Sequence, residues 1–374
     1  MIEIIEALTK KQRKLFATFP VELYKDCPYY VPSLVEDEMA LDNPKKNLSK
    51  RDSEVRCFLA YKDHQLVGRI AGIINHESNK KHHEKCIRFS RIDFIDDKEV
   101  SKALIETIIN WGKERGLTAI HGPWGFNDAD REGMLSEGFD ECSTYGTTYS
   151  YPYYIEHIES LGFQKESEWH EYRLNPHQVS DRFFLAAEMV QKLNRYYDVF
   201  SEMSLKKVVK NYGDGFFECY NKAYSNLDNF IPIEEEAKKA TIKQFATIIN
   251  PKFSSLIVDK RTNKVVAFGI ILPYIGDVLR KAKGRTLKAA LPLLYTIKHP
   301  KKLELALVGV DPDYRNSGAH ILVFTKFFEN YLKEGIEDVM VDPILTTNLA
   351  MINSLQWVDK SLRAKRQTFK KNIG

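Results

Sequence analysis

Val310-Asp-Pro-Asp-Tyr-Arg315-Asn-Ser-Gly318-Ala-His320 is the stretch that decides the fold. It follows an apolar run, Leu303-Glu-Leu-Ala-Leu-Val-Gly-Val310, that reads as a buried strand. Beyond it Ile321, Phe324, Phe328 and Tyr331 recur at helical spacing and share one face. The stretch is therefore a strand-to-helix turn with an arginine and a glycine at the helix N-terminus. Free backbone N–H groups and the positive dipole end suit phosphate oxygens there. Gly318 lets the backbone come close to a ligand.

This turn resembles the acyl-CoA-binding loop of the GNAT N-acyltransferase superfamily. That loop has Arg or Gln, two residues, Gly, one residue, then Gly or Ala, after Val-x-Pro-x-Tyr. Val310, Pro312, Tyr314, Arg315 and Gly318 match, and His320 stands where Gly or Ala is expected. The resemblance implies acetyl-CoA, or another acyl-CoA, as cosubstrate. It implies cofactor contacts from Gly309, Val310, Arg315, Asn316, Ser317, Gly318, Ala319 and His320. It also sets Asn348 against the pantetheine arm, although Asn348 reads equally as a helix N-cap.

The chain has a second turn of this kind. Ile87–Phe94 reads as a strand, and Val100, Leu104, Ile108 and Trp111 mark one face of a helix that ends at Gly116. The helix-ending glycines, Gly116 and Gly335, are 219 apart, and the later prolines, Pro123 and Pro343, are 220 apart. A hairpin precedes each unit, with polar turns at Lys62–Gln65 and Asp259–Lys264. The repeat predicts two domains of like plan, and their element order resembles that of a GNAT domain, which implies an α+β fold of two GNAT-like domains, each a mixed, mostly antiparallel sheet flanked by helices. The boundary falls near Asn175-Pro176-His177-Gln178, giving domains 1–176 and 177–374. The chain also resembles bacterial GNAT-type acetyltransferases through Gly122-Pro-Trp-Gly-Phe-Asn-Asp-Ala-Asp130, Glu137-Gly-Phe-Asp140, Pro152-Tyr-Tyr154 and Leu161-Gly-Phe163.

The first turn, Ile95-Asp-Asp-Lys-Glu99, has three carboxylates and no glycine. Like charges about 4 Å apart repel by roughly 1 kcal/mol even in bulk water. A diphosphate is therefore expected only in the second domain, and Asp96 or Asp97 is expected to cap the helix that follows.

The resemblance implies direct attack of an amine on the thioester, with no covalent enzyme intermediate. Glu304 lies where the family often has a carboxylate base, on the face expected to hold Ala306 and Val308. A solvent-facing charge near the strand start is the favoured account of it. Many family members also use a Tyr on the last helix as acid; Thr347–Trp357 has none.

Residues 122–154 read as a long, aromatic-rich, acidic loop. Two accounts stay level. The loop could cover the second domain's cleft and bind a cationic amine through Asn127, Asp130, Glu137 and Tyr153, with Asp128 adding charge. It could instead plug the first domain's vacant groove. Residues 276–302 carry Arg280, Lys281, Lys283, Arg285, Lys288, Lys298, Lys301 and Lys302 against Asp277 alone. A basic amphipathic segment can lie on an anionic membrane, but Pro292 is expected to interrupt the helix, and a solvated insertion in the second domain is preferred.

The 374 residues suit two domains, and 43% hydrophobic with 28% charged content describes a globular chain. No run approaches the roughly 20 apolar residues that span a bilayer. The N-terminus lacks a secretory pattern, and five irregularly spaced cysteines fit a reducing cytoplasm. A net charge of +4 gives no ground for a nucleic-acid partner. No metal is expected: His76, His82, His83 and Glu84 sit in a Lys-rich loop without ligand spacing. The expected partner is a small-molecule or peptide amine, with a homodimer left open. Two other functions remain: a non-catalytic tandem protein that binds acyl-CoA or a partner, and transfer from an aminoacyl-tRNA-type donor.

Overall fold

A computed structural model describes all residues except 44–46, 48–51, 128, 129, 194, 201–203, 228 and 229. Asp128 of the acidic stretch therefore lies outside the described residues. In chain order the first elements are β1 (Ile2–Glu6), α1 (Lys10–Leu23), α2 (Val35–Glu38), β2 (Ser53–Lys62), β3 (Gln65–Asn75) and α3 (His76–Lys81). Next come β4 (Cys86–Phe94), α4 (Lys98–Glu114), β5 (Ala119–Gly122), β6 (Met134–Glu137), α5 (Tyr153–Ser160) and β7 (Gln164–Val179). Then follow α6 (Asp181–Leu193), β8 (Tyr197–Phe200), α7 (Leu205–Tyr224), α8 (Glu235–Phe245), β9 (Ser255–Asp259), β10 (Lys264–Pro273), α9 (Gly276–Ala282) and α10 (Thr286–Lys298). The chain ends with β11 (Lys302–Val310), a 3-10 turn (Pro312–Ser317), α11 (Ala319–Glu334), β12 (Asp338–Leu345), α12 (Leu349–Ser354) and β13 (Val358–Asn372).

Two compact units result. Residues Met1–His170, Gly276–Pro292 and Ala364–Gly374 form the first; Glu171–Ile275 and Leu293–Arg363 form the second. The first unit thus takes in α9 and the start of α10, which the sequence pattern placed in the second domain. The physical reason is a local clamp. The Val35 N–H donates to the Gly284 carbonyl at 2.9 Å, and the Thr286 hydroxyl donates to Glu36. Arg280 donates to the Pro28 carbonyl.

In the first unit β1-β2-β3-β4-β5 and the last part of β13 form a mixed sheet. β1 to β4 pair antiparallel, and β4 pairs parallel with β5. The two residues Asp63 and His64 close the β2–β3 hairpin with positive φ, the conformation such a turn demands. Val100, Leu104, Ile108 and Trp111 of α4 are buried against this sheet. The second unit repeats the plan with β7-β12-β11-β10-β9-β8. β9, β10 and β11 are antiparallel neighbours, and β11 pairs parallel with β12. Ile321, Phe324, Phe328 and Tyr331 of α11 are buried in its core.

Both central strands carry a one-residue bulge at the matching place. In the first unit the register slips between Arg69 and Ala71, where Arg91 has φ 46. In the second it slips between Ile270 and Ile271, leaving Ala306 as the extra residue. A bulge reverses side-chain alternation beyond it. Glu304 and Val308 therefore do not follow the simple alternation expected for them.

The turns after these strands differ in length. Ile95 to Asp97 alone separate β4 from α4, whereas Asp311 to Gly318 separate β11 from α11. The residue-for-residue register across the two turns, expected from offsets of 219 and 220, does not hold.

Candidate functional site

β11 and β12 form a parallel ladder from Lys302 and Asp338 to Leu305 and Val341. Both strands then continue, β11 to Val310 and β12 to Leu345. Over this continuation Ala306, Leu307, Val308 and Val310 are half-buried, and Gly309 is buried. The open stretch leads into the 3-10 turn. Asp311 is buried and caps that turn, accepting from the Asp313 N–H at 3.0 Å. Lys222 lies 3.4 Å from its other oxygen. Arg315 and Asn316 are exposed. Ser317 donates to the Tyr314 carbonyl at 2.7 Å and accepts from the Ala319 N–H at 3.3 Å. Ala319 is fully buried.

Gly318 is left-handed, with φ +79. A Cβ there would stand 2.6 Å from Cγ2 of Val190 on α6. The missing side chain therefore makes room for a helix as well as for the turn, and the side open to a ligand is that of Arg315 and Asn316. His320 is half-buried, and burial lowers its pKa from the ordinary value, so it is neutral at pH 7. Asn348 caps α12, accepting from the Met351 N–H at 3.2 Å.

Glu304 is fully buried. Its neighbours in register are Leu272 of β10 and Met340 of β12. The solvent-facing account of Glu304 is thus corrected: a strand flanked on both sides, with helices over its faces, leaves the residue enclosed.

Sequence reasoning missed one group. The Tyr224 hydroxyl, at the end of α7, donates to the Val308 carbonyl at 3.2 Å. Its ring stacks on Tyr220 at 4.7 Å and on Phe268 at 6.4 Å. The available signal was the aromatic ladder Tyr212, Phe216, Tyr220, Tyr224, spaced by four along one helix face.

The corresponding place in the first unit is filled by its own chain. Every residue of β4 is buried except half-buried Arg91. The Phe94 N–H donates to the Tyr154 hydroxyl at 3.0 Å, and Tyr153 donates to the Phe94 carbonyl at 2.6 Å. Tyr154 also stacks on Phe94 at 4.2 Å. Gly122, at φ +154, passes so close to β4 that a Cβ would lie 2.3 Å from the Phe89 carbonyl oxygen. Asp97 caps α4, accepting from the Glu99 N–H at 2.9 Å, and pairs with Lys62 at 2.6 Å. A carboxylate of the chain occupies the position an anion would take.

The proposed amine-binding residues all lie in this unit. Asp130 grips Arg91 through both oxygens, at 2.8 and 2.9 Å. Burial pushes its carboxyl up, but Arg91 outweighs that and holds the pKa below the ordinary value. Arg69 pairs with Asp93 at 2.7 Å and with Glu38 at 3.1 Å. Arg131 lies 4.0 Å from Glu38. Three guanidiniums thus face three carboxylates, and Arg69, Arg91, Arg131, Glu38 and Asp93 of this set line a cavity of about 40 Å³, room for very few waters. Asp130 is committed to this network. Glu137 pairs with Lys365 at 2.7 Å near the surface. Tyr153 is committed to Phe94, and Asn127 is half-buried, its carbonyl accepting from the Asp130 N–H.

Among solved structures, a tandem GNAT protein from the clavulanic acid biosynthesis pathway, solved without AcCoA, superposes at a TM-score of 0.56. The match covers 100% of this chain and 99% of that one, at 10% identity. The fold is that of a tandem GNAT protein. The GNAT order of hairpin, bulged strand, turn, helix and parallel strand occurs once in each unit. No family model matches the sequence. Protein YghO of Escherichia coli (strain K12) is 25% identical over 385 residues, covering 98% of this chain and 94% of that protein. A bacterial ceramide synthase of Caulobacter vibrioides is 23% identical, covering 84% of this chain and 82% of that protein. Among the described residues of this GNAT-like chain, no cluster of His, Cys, Asp or Glu is placed to hold a metal.

Proposed function

We propose that this protein is an acyl-CoA-dependent N-acyltransferase whose second unit holds the acyl-CoA at the β11–α11 turn. One observation carries the proposal: β11 opens to half-buried from Ala306, beside a helix N-terminus and the exposed Arg315, whereas β4 is sealed by Tyr153 and Tyr154. Arg315 supplies a fixed positive fork for phosphate oxygens, and the start of α11 adds its dipole. Asn348 stays with the pantetheine arm in this scheme, as the β12–α12 cap.

The amine nitrogen attacks the thioester carbonyl carbon. The new C–N bond forms and the C–S bond breaks; the amine passes its proton to solvent water, the CoA thiolate takes one from a protein hydroxyl, and water returns a proton to that hydroxyl. The Val310 N–H, on the open side of β11, polarises the carbonyl, while Gly309 beside it bonds into the β10 ladder opposite Phe268. The Tyr224 hydroxyl, on the same stretch, supplies the proton to the thiolate. Glu304, enclosed between β10 and β12, is left out of direct proton transfer because a base must reach its proton.

The relation to the ceramide synthase favours a fatty acyl donor and a long-chain amino alcohol as acceptor, since making a ceramide is N-acylation of that amine. Acetyl transfer to a smaller amine is the second reading, favoured by the tandem GNAT fold. All five cysteines are free, and we place the reaction in the reducing cytoplasm.

The test incubates the full chain with palmitoyl-CoA or acetyl-CoA and with sphinganine or a small diamine. Release of CoA thiol and the mass of the amide are followed. CoA release that depends on the amine is expected, and Arg315→Glu should weaken acyl-CoA binding by about tenfold or more without unfolding the chain. Acyl-CoA binding without turnover of any amine would leave a binding protein in place of an enzyme. Failure to bind either donor would overturn the whole proposal.

A further inference from the structure

The α10 helix is amphipathic in the wrong sense for a helix of a globular unit. Ala289 is its one buried residue, and Leu293 and Ile297, on the same side, are half-buried. Leu287, Leu291, Leu294 and Tyr295, spaced i, i+4, i+7, i+8, share the opposite face. They are 93%, 78%, 58% and 70% exposed. These are four of the thirteen large exposed hydrophobics among the described residues, gathered on one short helix. Single exposed apolar residues are ordinary, but a contiguous stripe marks an interaction surface.

Pro292 does not interrupt the helix, contrary to expectation; α10 runs through it to Lys298. The proline removes one helical hydrogen bond, from the carbonyl of Lys288. Lys288 and Pro292 are both exposed, so water can serve that carbonyl. The stripe is kept continuous across the proline.

Charge names the occupant. Lys281, Lys283, Arg285, Lys288 and Lys298 are exposed along this segment. The one acid in it, Asp277, is held by Arg280 at 2.9 Å. An apolar stripe bordered by cations complements a lipid surface with anionic headgroups. No helix among the described residues is long and apolar enough to cross a membrane. At about 1.5 Å per residue the 13 residues of α10 reach only ~20 Å, so the helix can lie in the interface and not span it. Behind it, the Gly284 carbonyl and Thr286 are tied to Val35 and Glu36, so the helix start is presented on a fixed support.

We propose that the exposed face of α10, with the cations beside it, docks the protein on the surface of an anionic lipid bilayer. The docking is separate from the acyltransferase proposal, since it needs neither acyl-CoA nor amine. It would give a soluble-fold enzyme access to substrates that stay in a bilayer.

The experiment is sedimentation of the full chain with extruded vesicles, in the absence of substrates. One set is phosphatidylcholine alone, and the other contains about one third phosphatidylglycerol. Co-sedimentation with the anionic vesicles, weakened by salt, is expected. Lys283→Glu, Arg285→Glu and Lys288→Glu together should lower binding by about a hundredfold, at roughly fivefold per lost cation. Leu287→Ser with Leu291→Ser should lower it by about tenfold or more while circular dichroism stays unchanged. Absence of binding to anionic vesicles would overturn the proposal. So would full binding by the double serine variant. A dimer in light scattering that the serine variant abolishes, without vesicle binding by the parent, would give the stripe to a second copy and overturn it too. Vesicle binding without acyl transfer, or the reverse, separates this proposal from the previous one.

Discussion

Replacing Gly318 by alanine should destabilise the second unit by about 2–5 kcal/mol, and the cost can be built from two terms. The residue sits at φ +79, where an L side chain is strained by roughly 1–2 kcal/mol. The added Cβ would also lie 2.6 Å from Cγ2 and 2.9 Å from Cγ1 of Val190. Carbon atoms prefer about 3.5–4.0 Å, so roughly 1 Å must be found. Valine is stiff about χ1 and sits on a helix, so relief requires α6 to shift, at about 1–3 kcal/mol. Val190→Ala in the same chain removes the obstacle and leaves the backbone strain. The double variant should therefore be more stable than the sum of the single ones predicts, by about 1–3 kcal/mol of coupling. Urea unfolding followed by circular dichroism and fluorescence measures all four proteins, with unchanged m-values required. A Gly318→Ala midpoint matching the parent, or strict additivity of the two substitutions, would show that α6 does not rest on this glycine.

Asp130→Ala strips Arg91, whose side chain is 10% exposed, of its bidentate partner and should cost about 3 kcal/mol, lowering Tm by roughly 6–12 °C. The KM for an amine should not move, and a raised KM with unchanged Tm would restore Asp130 to substrate binding. Burial holds His320 below the ordinary histidine pKa; burial does the same at His121, where Glu166 opposes it. A depressed folded value means that the unfolded chain binds more protons below about pH 6.5, so stability present above that pH falls as the solution is acidified. His320→Gln should flatten that fall when urea midpoints are measured from about pH 7 to 5; an unchanged slope would remove His320 from the account. Tyr224→Phe should lower kcat by about a hundredfold with little change in acyl-CoA affinity, measured by steady-state kinetics and titration. An equal loss in both would make Tyr224 a binding group.

Local chemistry made much of this molecule legible. The two hairpins, the two strand–turn–helix units and the glycines that end α4 and α11 follow from period, polarity and the need for positive φ, all short-range signals. The capping of α4 by Asp97 follows from the same rules. What stayed hidden depends on distant partners. The bulge at Ala306 is a property of two strands in register, so Glu304 could not be seen to be enclosed. Asp130 read as a free acid because Arg91, which neutralises it, lies far away in sequence. The clamp of Gly284 and Thr286 on residues 35 and 36 joins segments about 250 positions apart, and no periodicity announces it. Tyr224 was missed for a different reason: its helix carries a visible aromatic ladder, but nothing local says that the ladder ends at an open strand.

The sealed end of β4 has a consequence for how the protein responds to its metabolic surroundings. A ligand stabilises whatever holds it by mass action, by about 2.7 kcal/mol at a hundred times its Kd. Tyr153 and Tyr154 act as a permanent, covalently attached occupant of the first unit, so that unit gains its stability at no ligand concentration in particular. The second unit has an open strand in the same position, and on the proposal that it holds acyl-CoA, its resistance to unfolding and proteolysis should rise and fall with the acyl-CoA supply. A duplicated fold would then carry one half set by its sequence and one half tuned by the cell's acyl pool.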